Sequence, residues 1–293
     1  MQNKPTRQGV IVKSFIVNVA LIVIKAAGGL IFNSAALLSD AVHSLSDFLS
    51  DVLVLVGLRQ SQKPADADHP IGHGKAEYVL SMFLGVGVLI LAYQLLLGFA
   101  SRITEPPSAP SIYAIGVVVV VIVMKWLLSR YVKHHAVMMD SHILHASADE
   151  SLSDAVASGV VIVGVTLGVL GNLTGVGWLL YADGIAALVI ALFVARIGIL
   201  ILLDAIQFML GKSASNAVKA ETKQQVLAVE GVIDVDKLTM IVYGHYYQVM
   251  VNIRVDASIS VKDGHNVAHY VKKRLHEDPK IGHVIVHVNP QEV

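Results

Sequence analysis

Apolar residues fall into long runs up to about position 210 and into short alternating stretches beyond it. Six runs, near 10–32, 36–58, 77–99, 111–129, 151–172 and 178–204, each come close to the roughly 20 residues that carry an α-helix across a bilayer. Turn-forming residues separate several of them: Asn33-Ser34, Thr104-Glu105-Pro106-Pro107, and Gly171-Asn172-Leu173-Thr174-Gly175. The first run starts too late and runs too long for a secretory leader, and it lacks a small-residue cleavage site. It therefore reads as a retained span.

Beyond 210 the pattern is that of an ordinary soluble domain. Residues 214–229 read as a helix stopped by Gly231, and residues 232–242 and 246–255 alternate like strands around Gly244. Ser260 and Asp263 form a capping box for a helix over 261–276, and residues 283–288 alternate apolar residues with His as a last strand. The order αββαβ predicts a small open-faced α+β sandwich. The fold expected is thus an α-helical membrane protein, with six transmembrane helices in a transport domain over 1–210 and a cytoplasmic α+β domain over 211–293.

Basic residues orient the spans. Lys4 and Arg7 in the tail, Arg59, Lys63 and Lys75 in 59–76, and Arg130 and Lys133 in 130–149 share one side, while the opposite connections carry only Arg102. Both termini and the two longer polar loops, 59–76 and 130–149, are expected in the cytosol, with the spans in the cell (inner) membrane.

Composition narrows the function. The chain of 293 residues is 55% apolar and 15% charged, with a mean hydropathy of +0.65, which argues against a water-soluble enzyme. Lys and Arg equal Asp and Glu at 22 each, so no basic excess points to nucleic acid. Cysteine is absent, which removes thiolate metal sites and catalytic thiols and leaves His, carboxylate, amide and backbone oxygen as ligands; there are 13 His.

The second run carries Asp40, His43, Asp47 and Asp51, whose spacing places all four on one helical face. Three carboxylates facing lipid would cost about 8–10 kcal/mol, so they face a polar cavity, a metal or each other. The fifth run opens with Asp149, Glu150 and Asp154 among serines. His43-x-x-x-Asp47 and Glu150-x-x-x-Asp154 share the i,i+4 geometry. Facing each other, they supply one nitrogen and three carboxylates, enough for a tetrahedral divalent site. Asp40 and Asp51 lie a turn away and read as supporting residues. Asp149 and Asp183 are open to a purely structural reading, and Lys25 reads as snorkelling or paired with an acid. In the 59–76 segment, Asp66, His69 and His73 have ligand-like spacing, with Gly72 and Gly74 allowing tight turns.

At these residues the chain resembles the cation diffusion facilitator family of divalent-metal/proton exchangers. The likeness covers nearly the whole chain and is densest in residues 34–47, in Asp68-His69-Pro70-Ile71-Gly72-His73-Gly74-Lys75-Ala76-Glu77, and in Ser153-Asp154-Ala155-Val156-Ala157-Ser158. The resemblance implies a transport site at His43, Asp47, Glu150 and Asp154, a loop site at Asp66, His69 and His73, a metallochaperone-like cytoplasmic domain and a homodimer. It departs from the common zinc pattern, which has His where Glu150 stands. In the cytoplasmic domain His265 and His287 match positions used for further metal. Asn289 and Met250 stand where a carboxylate and a His are often found, with His245 available to compensate. His134, His135, His142 and His145 gather cations at most, and His269, His276 and His283 read as solvated.

The function expected is export of divalent metal cations (Zn²⁺, or Mn²⁺ or Fe²⁺) from the cytosol in exchange for protons. The metal is substrate and possible regulator, and no other cofactor or nucleic-acid partner is expected. Three carboxylates with one imidazole tilt the choice toward Mn²⁺ or Fe²⁺. Two alternatives stand beside it. An intramembrane metal-dependent hydrolase would need an open metal position and a general base, and no His-Glu-x-x-His occurs. A membrane metal sensor or scaffold would use only the soluble domain.

Overall fold

The computed structural model describes residues 7–104, 109–139 and 142–291. Lys4 and the Glu105-Pro106-Pro107 part of the expected turn lie outside the described residues, as do the side chains of Arg102, His142 and His145. Six long helices come first: α1 (Arg7–Ile31), α2 (Ala35–Ser61), α3 (Ala76–Thr104), α4 (Tyr113–Met138), α5 (His142–Thr174) and, after a short 3-10 turn at Gly177–Tyr181, α6 (Ala182–Met209). Among the described residues, five are long and apolar enough to cross a membrane by length and composition. Helix α2, at 27 residues, is also long enough, but it carries Asp40, Asp47, Asp51 and Arg59.

The chain divides into two compact units, residues 1–51 with 84–200, and residues 52–83 with 201–293. In the first, Asn33 takes φ 53° and closes α1, with the Ser34 N–H donating to the Gly29 carbonyl at 3.0 Å. The next helix starts at once, and its first N–H groups need acceptors. Asp183, in the first turn of α6, supplies them. Its carboxylate accepts from the Ser34 hydroxyl at 2.6 Å and from the Ala35 N–H at 2.6 Å. The ambiguity over Asp183 is thereby resolved as a cap between helices. Lys25 also finds an acid. Fully buried on α1, its Nζ lies 2.9 Å from Asp40 Oδ2 and donates to Ser44 Oγ at 2.9 Å, while Ser158 Oγ of α5 donates to Asp40 at 2.9 Å. Asp40 is therefore committed to an ion pair.

One expectation fails. The polar segment 130–149 is not a loop: α4 continues to Met138 and α5 starts at His142. The segment contains neither Gly nor Pro, so both helices extend into it beyond their apolar runs. Its polarity marks the end of the apolar stretch, not the end of the helix. His135 is accordingly buried, with Nδ1 2.8 Å from the Tyr131 carbonyl oxygen of the preceding turn.

The second unit holds the α+β domain: α7 (Asn216–Leu227), β1 (Asp234–Tyr243), β2 (Tyr246–Val255), α8 (Val261–Leu275) and β3 (Ile281–Pro290), the αββαβ order that the pattern predicts. The sheet order is β1-β2-β3, antiparallel between β1 and β2 and parallel between β2 and β3. The parallel pair follows from the α8 crossover. Ser260 caps α8, accepting from the Asp263 N–H at 3.2 Å and donating to its carboxylate at 2.6 Å. Met240, Val249, Val251, Ile253, Val271, Leu275 and Val284 form the buried core.

The β1–β2 turn is held from outside. Gly244 takes φ 66° at its first central position, where a side chain would be strained. Its N–H donates to the Tyr78 hydroxyl at 2.6 Å. The hydroxyls of Tyr243 and Tyr246 donate to the Gly72 carbonyl at 3.3 Å and the Ile71 carbonyl at 2.5 Å. Gly74 lies so close that a Cβ there would stand 2.5 Å from Tyr243.

Candidate metal transport and loop sites

His43 and Asp47 lie one turn apart on α2, and Asp154 lies on α5. One ligand atom from each falls within 4.8 Å of the other two. His43 is 6% exposed, and its Nδ1 is a buried nitrogen without a hydrogen-bond partner. It stands 3.7 Å from Asp47 Oδ2, beyond hydrogen-bond length, while Phe193 meets the ring edge-on at 5.5 Å. An orphaned buried nitrogen costs roughly 1–3 kcal/mol. A divalent ion shared with the two carboxylates would satisfy it.

Glu150 does not join this cluster. It is exposed and stands outside the three-residue group. The helical spacing to Asp154 is as expected, but α5 begins at His142, so Glu150 is already well inside the helix. One turn advances about 5.4 Å along the axis, so Glu150 and Asp154 share a face of α5 but stand at different heights on it. The charges that act on Glu150 are those of Asp51, Asp154, Asp47 and Lys125.

Lys125 is the residue that the sequence pattern left unnoticed. It sits on α4, 3% exposed, with its Nζ 2.5 Å from Asp154 Oδ2 and donating to Asn18 Oδ1 of α1 at 2.9 Å. A lysine among the valines and leucines of 117–128 is the signal that marks it, since a charge within a membrane helix needs a partner.

In the other unit, Asp66, His69 and His73 also bring one ligand atom each within 4.8 Å of one another. The chain folds back here: the Gly72 N–H donates to the His69 carbonyl at 2.9 Å, and Gly72 takes φ 89°. His73 Nδ1 lies 3.2 Å from the Pro64 carbonyl oxygen, which requires that nitrogen to carry the proton. Its Nε2, 3.4 Å from Asp66 Oδ2, is then left as a ligand. The His69 N–H, 2.7 Å from Asp66 Oδ1, holds the Asp66 carboxyl below its ordinary range; slight desolvation opposes it, and the two imidazoles add to it. A depressed carboxyl contributes stability that is present above its unfolded value, about 3.9. That contribution is lost only as pH falls through the lower folded value. A cavity of about 600 Å³ opens beside His69 and His73, lined also by Gln60, Lys75 and Tyr243.

Water can therefore replace a lost ligand in the loop. Alanine at Asp66, His69 or His73 is expected to lower uptake by no more than about tenfold, roughly 1.4 kcal/mol in kinetic terms. Complete loss of flux at normal expression would place the loop on the obligatory path.

The cytoplasmic histidines lie on three different elements. His245 lies in the β1–β2 turn, edge-on to Tyr246 at 5.0 Å. His265 is exposed on α8, and His287 is exposed on β3 opposite Asn252. Neither candidate metal group found among the described residues contains any of the three.

Residues 11–210 match the family described as "Cation efflux transmembrane domain", and residues 214–291 match "Cation efflux protein, cytoplasmic domain". The chain is 29% identical to the "Manganese efflux system protein MneP" of Bacillus subtilis, over 94% of each chain. It is 30% identical to an uncharacterised transporter of Methanocaldococcus jannaschii, over 95% of this chain and 96% of the other. Among solved structures, a nickel form of a MamM CTD variant is 22% identical and covers 27% of this chain and 100% of its own, with a TM-score of 0.26.

Proposed function

We propose, on the premise that this chain belongs to the cation efflux family, that it exports Mn²⁺ or a chemically similar divalent ion from the cytosol in exchange for protons. As a member of that family it is a multi-pass integral membrane transporter, not an enzyme, with a cytoplasmic C-terminal domain. The observation that carries the proposal is the meeting of His43, Asp47 and Asp154 between α2 and α5, with the buried His43 Nδ1 left without a partner. Glu150 is the fourth ligand proposed, reached by a shift of α5 along its axis as the site closes on an ion.

Carboxylate and neutral imidazole bind metal, and their protonated forms do not. A site facing a near-neutral cytosol loads metal; the same site facing a more acidic exterior releases it and takes up protons. Movement of the helices around this site gives alternating access. An oxygen-rich ligand set supports Mn²⁺ over Zn²⁺, as does the name of the manganese efflux relative. We read residues 1–210 as the transport domain and 211–293 as the domain through which two copies pair. His245, His265 and His287 are candidates for metal shared across that pairing.

The test is uptake into proteoliposomes with Mn²⁺, Zn²⁺, Fe²⁺, Cd²⁺ and Co²⁺ under an imposed proton gradient. Flux of Mn²⁺ that collapses when the gradient is dissipated supports the proposal, and Mn²⁺ flux indifferent to the gradient refutes the exchange. Selectivity has its own test. Glu150→His supplies a softer, nitrogen-richer set and is expected to raise the Zn²⁺/Mn²⁺ ratio of uptake rates by about tenfold. A ratio that stays level or falls would assign selectivity to geometry or to Asp40 and Asp51.

A further inference from the structure

We propose that Lys125 is the resident counter-cation of the transport site: its ammonium neutralises Asp154 when no metal is bound and is displaced from it when metal loads. The inference rests on the reading of His43, Asp47 and Asp154 as the transport site. It goes beyond that reading in giving the site a cationic participant from a different helix, α4.

The geometry has three parts. The ammonium lies 2.5 Å from Asp154 Oδ2, and the two side chains are 4% and 11% exposed. Such a pair is screened by little water, so the ammonium competes directly with any other cation for that carboxylate. Asn18 then gives the ammonium a second acceptor at 2.9 Å. That neutral amide oxygen remains available when Asp154 turns to the metal, so displacement does not strand a bare ammonium in a dry site. Finally, Lys125 belongs to α4, whereas the ligands belong to α2 and α5. The cation can withdraw without carrying a ligand with it.

A positive charge a few ångströms from a bound divalent ion repels it. Lys125 therefore weakens metal binding and speeds metal release, as a transporter requires of a site that must empty on every cycle. It acts on charge and so weakens all divalent ions alike; it sets affinity and turnover, not the choice of metal.

The experiment uses the full chain, with Mn²⁺ binding in detergent followed by calorimetry and Mn²⁺ uptake in proteoliposomes, at one fixed pH. Lys125→Met, close in length and without charge, is expected to lower both Kd and KM for Mn²⁺ by at least about tenfold and to lower kcat. Lys125→Arg, which keeps the charge, is expected to stay nearer the parent in both constants. An unchanged or weaker Kd in folded Lys125→Met overturns the proposal, as does a Lys125→Arg variant that shifts as far as Lys125→Met. If Lys125→Met and Lys125→Gln both fail to fold while Lys125→Arg folds, Lys125 is a structural strut and the proposal is also overturned. Asp154→Ala in the same assays separates the two levels. Binding and uptake that survive Asp154→Ala refute the site itself. Binding abolished by Asp154→Ala but indifferent to Lys125→Met refutes only the role of Lys125.

Discussion

Asp47→Ala and Asp154→Ala are each expected to abolish metal flux, with uptake falling at least about a hundredfold, to the level of empty vesicles, equivalent to roughly 2.7 kcal/mol or more of lost stabilisation. Each substitution removes both a ligand and one of the negative charges that offset the ion, in a site where His43 and Asp154 are buried. Charge is worth more there than at the surface because little water screens it. Asp154→Ala also strips Lys125 of its carboxylate, so a cation is left facing an incoming cation. Asp47 lacks that second role, and its loss is expected to leave the protein better folded than the loss of Asp154. The measurement is proteoliposome uptake of Mn²⁺ at equal reconstituted protein, paired with a heat-challenge profile on size-exclusion chromatography. Appreciable flux through either folded variant would move the ion path away from these helices.

Breaking the other buried pair is expected to damage the fold instead. Lys25 and Asp40 have side chains 0% and 2% exposed, with Ser44 and Ser158 completing their hydrogen bonds. Removing one partner of such a pair leaves an uncompensated charge and costs about 3–5 kcal/mol, whereas replacing both by apolar residues is often neutral. Asp40→Ala or Lys25→Met should thus yield protein that aggregates on mild heating. Lys25→Met combined with Asp40→Leu should recover most of the loss. A single variant as heat-stable as the parent, or a double variant as poor as the worse single, would show that the pair does not hold α1 against α2.

The contrast between the two pairs marks what the sequence could convey. His43 and Asp47 are four residues apart on one helix, so their shared face follows from helical geometry. The αββαβ order follows equally from local alternation and from turn residues such as Gly244. Lys25 with Asp40, Lys125 with Asp154, and Ser34 with Asp183 lie 15, 29 and 149 residues apart and meet only through packing between helices. No periodicity encodes such meetings; the sequence announces only that each charge needs a partner. The extension of α4 and α5 into 130–149 was hidden for another reason. Apolar runs report where lipid ends, and helices end only where a breaker or a cap ends them. Glu150 belongs with the distant meetings: its shared face with Asp154 was legible from spacing, but whether it joins His43 and Asp47 depends on packing between α2 and α5.

The grip of Tyr78, Tyr243 and Tyr246 on the 71–74 segment changes what mutation can do at the β1–β2 turn. A surface hairpin usually absorbs insertions and deletions, because nothing outside it registers its length. Here three phenol hydroxyls count residues on both sides at once: Gly244 must present its N–H to Tyr78, while Tyr243 and Tyr246 reach consecutive carbonyls at Gly72 and Ile71. One added residue in the hairpin rotates the strand positions out of phase and withdraws at least one hydroxyl from its carbonyl. In a library of insertions and deletions scanned along the chain, the 243–246 turn and the 71–74 segment should therefore behave like core positions, intolerant of any change in length despite lying in loops.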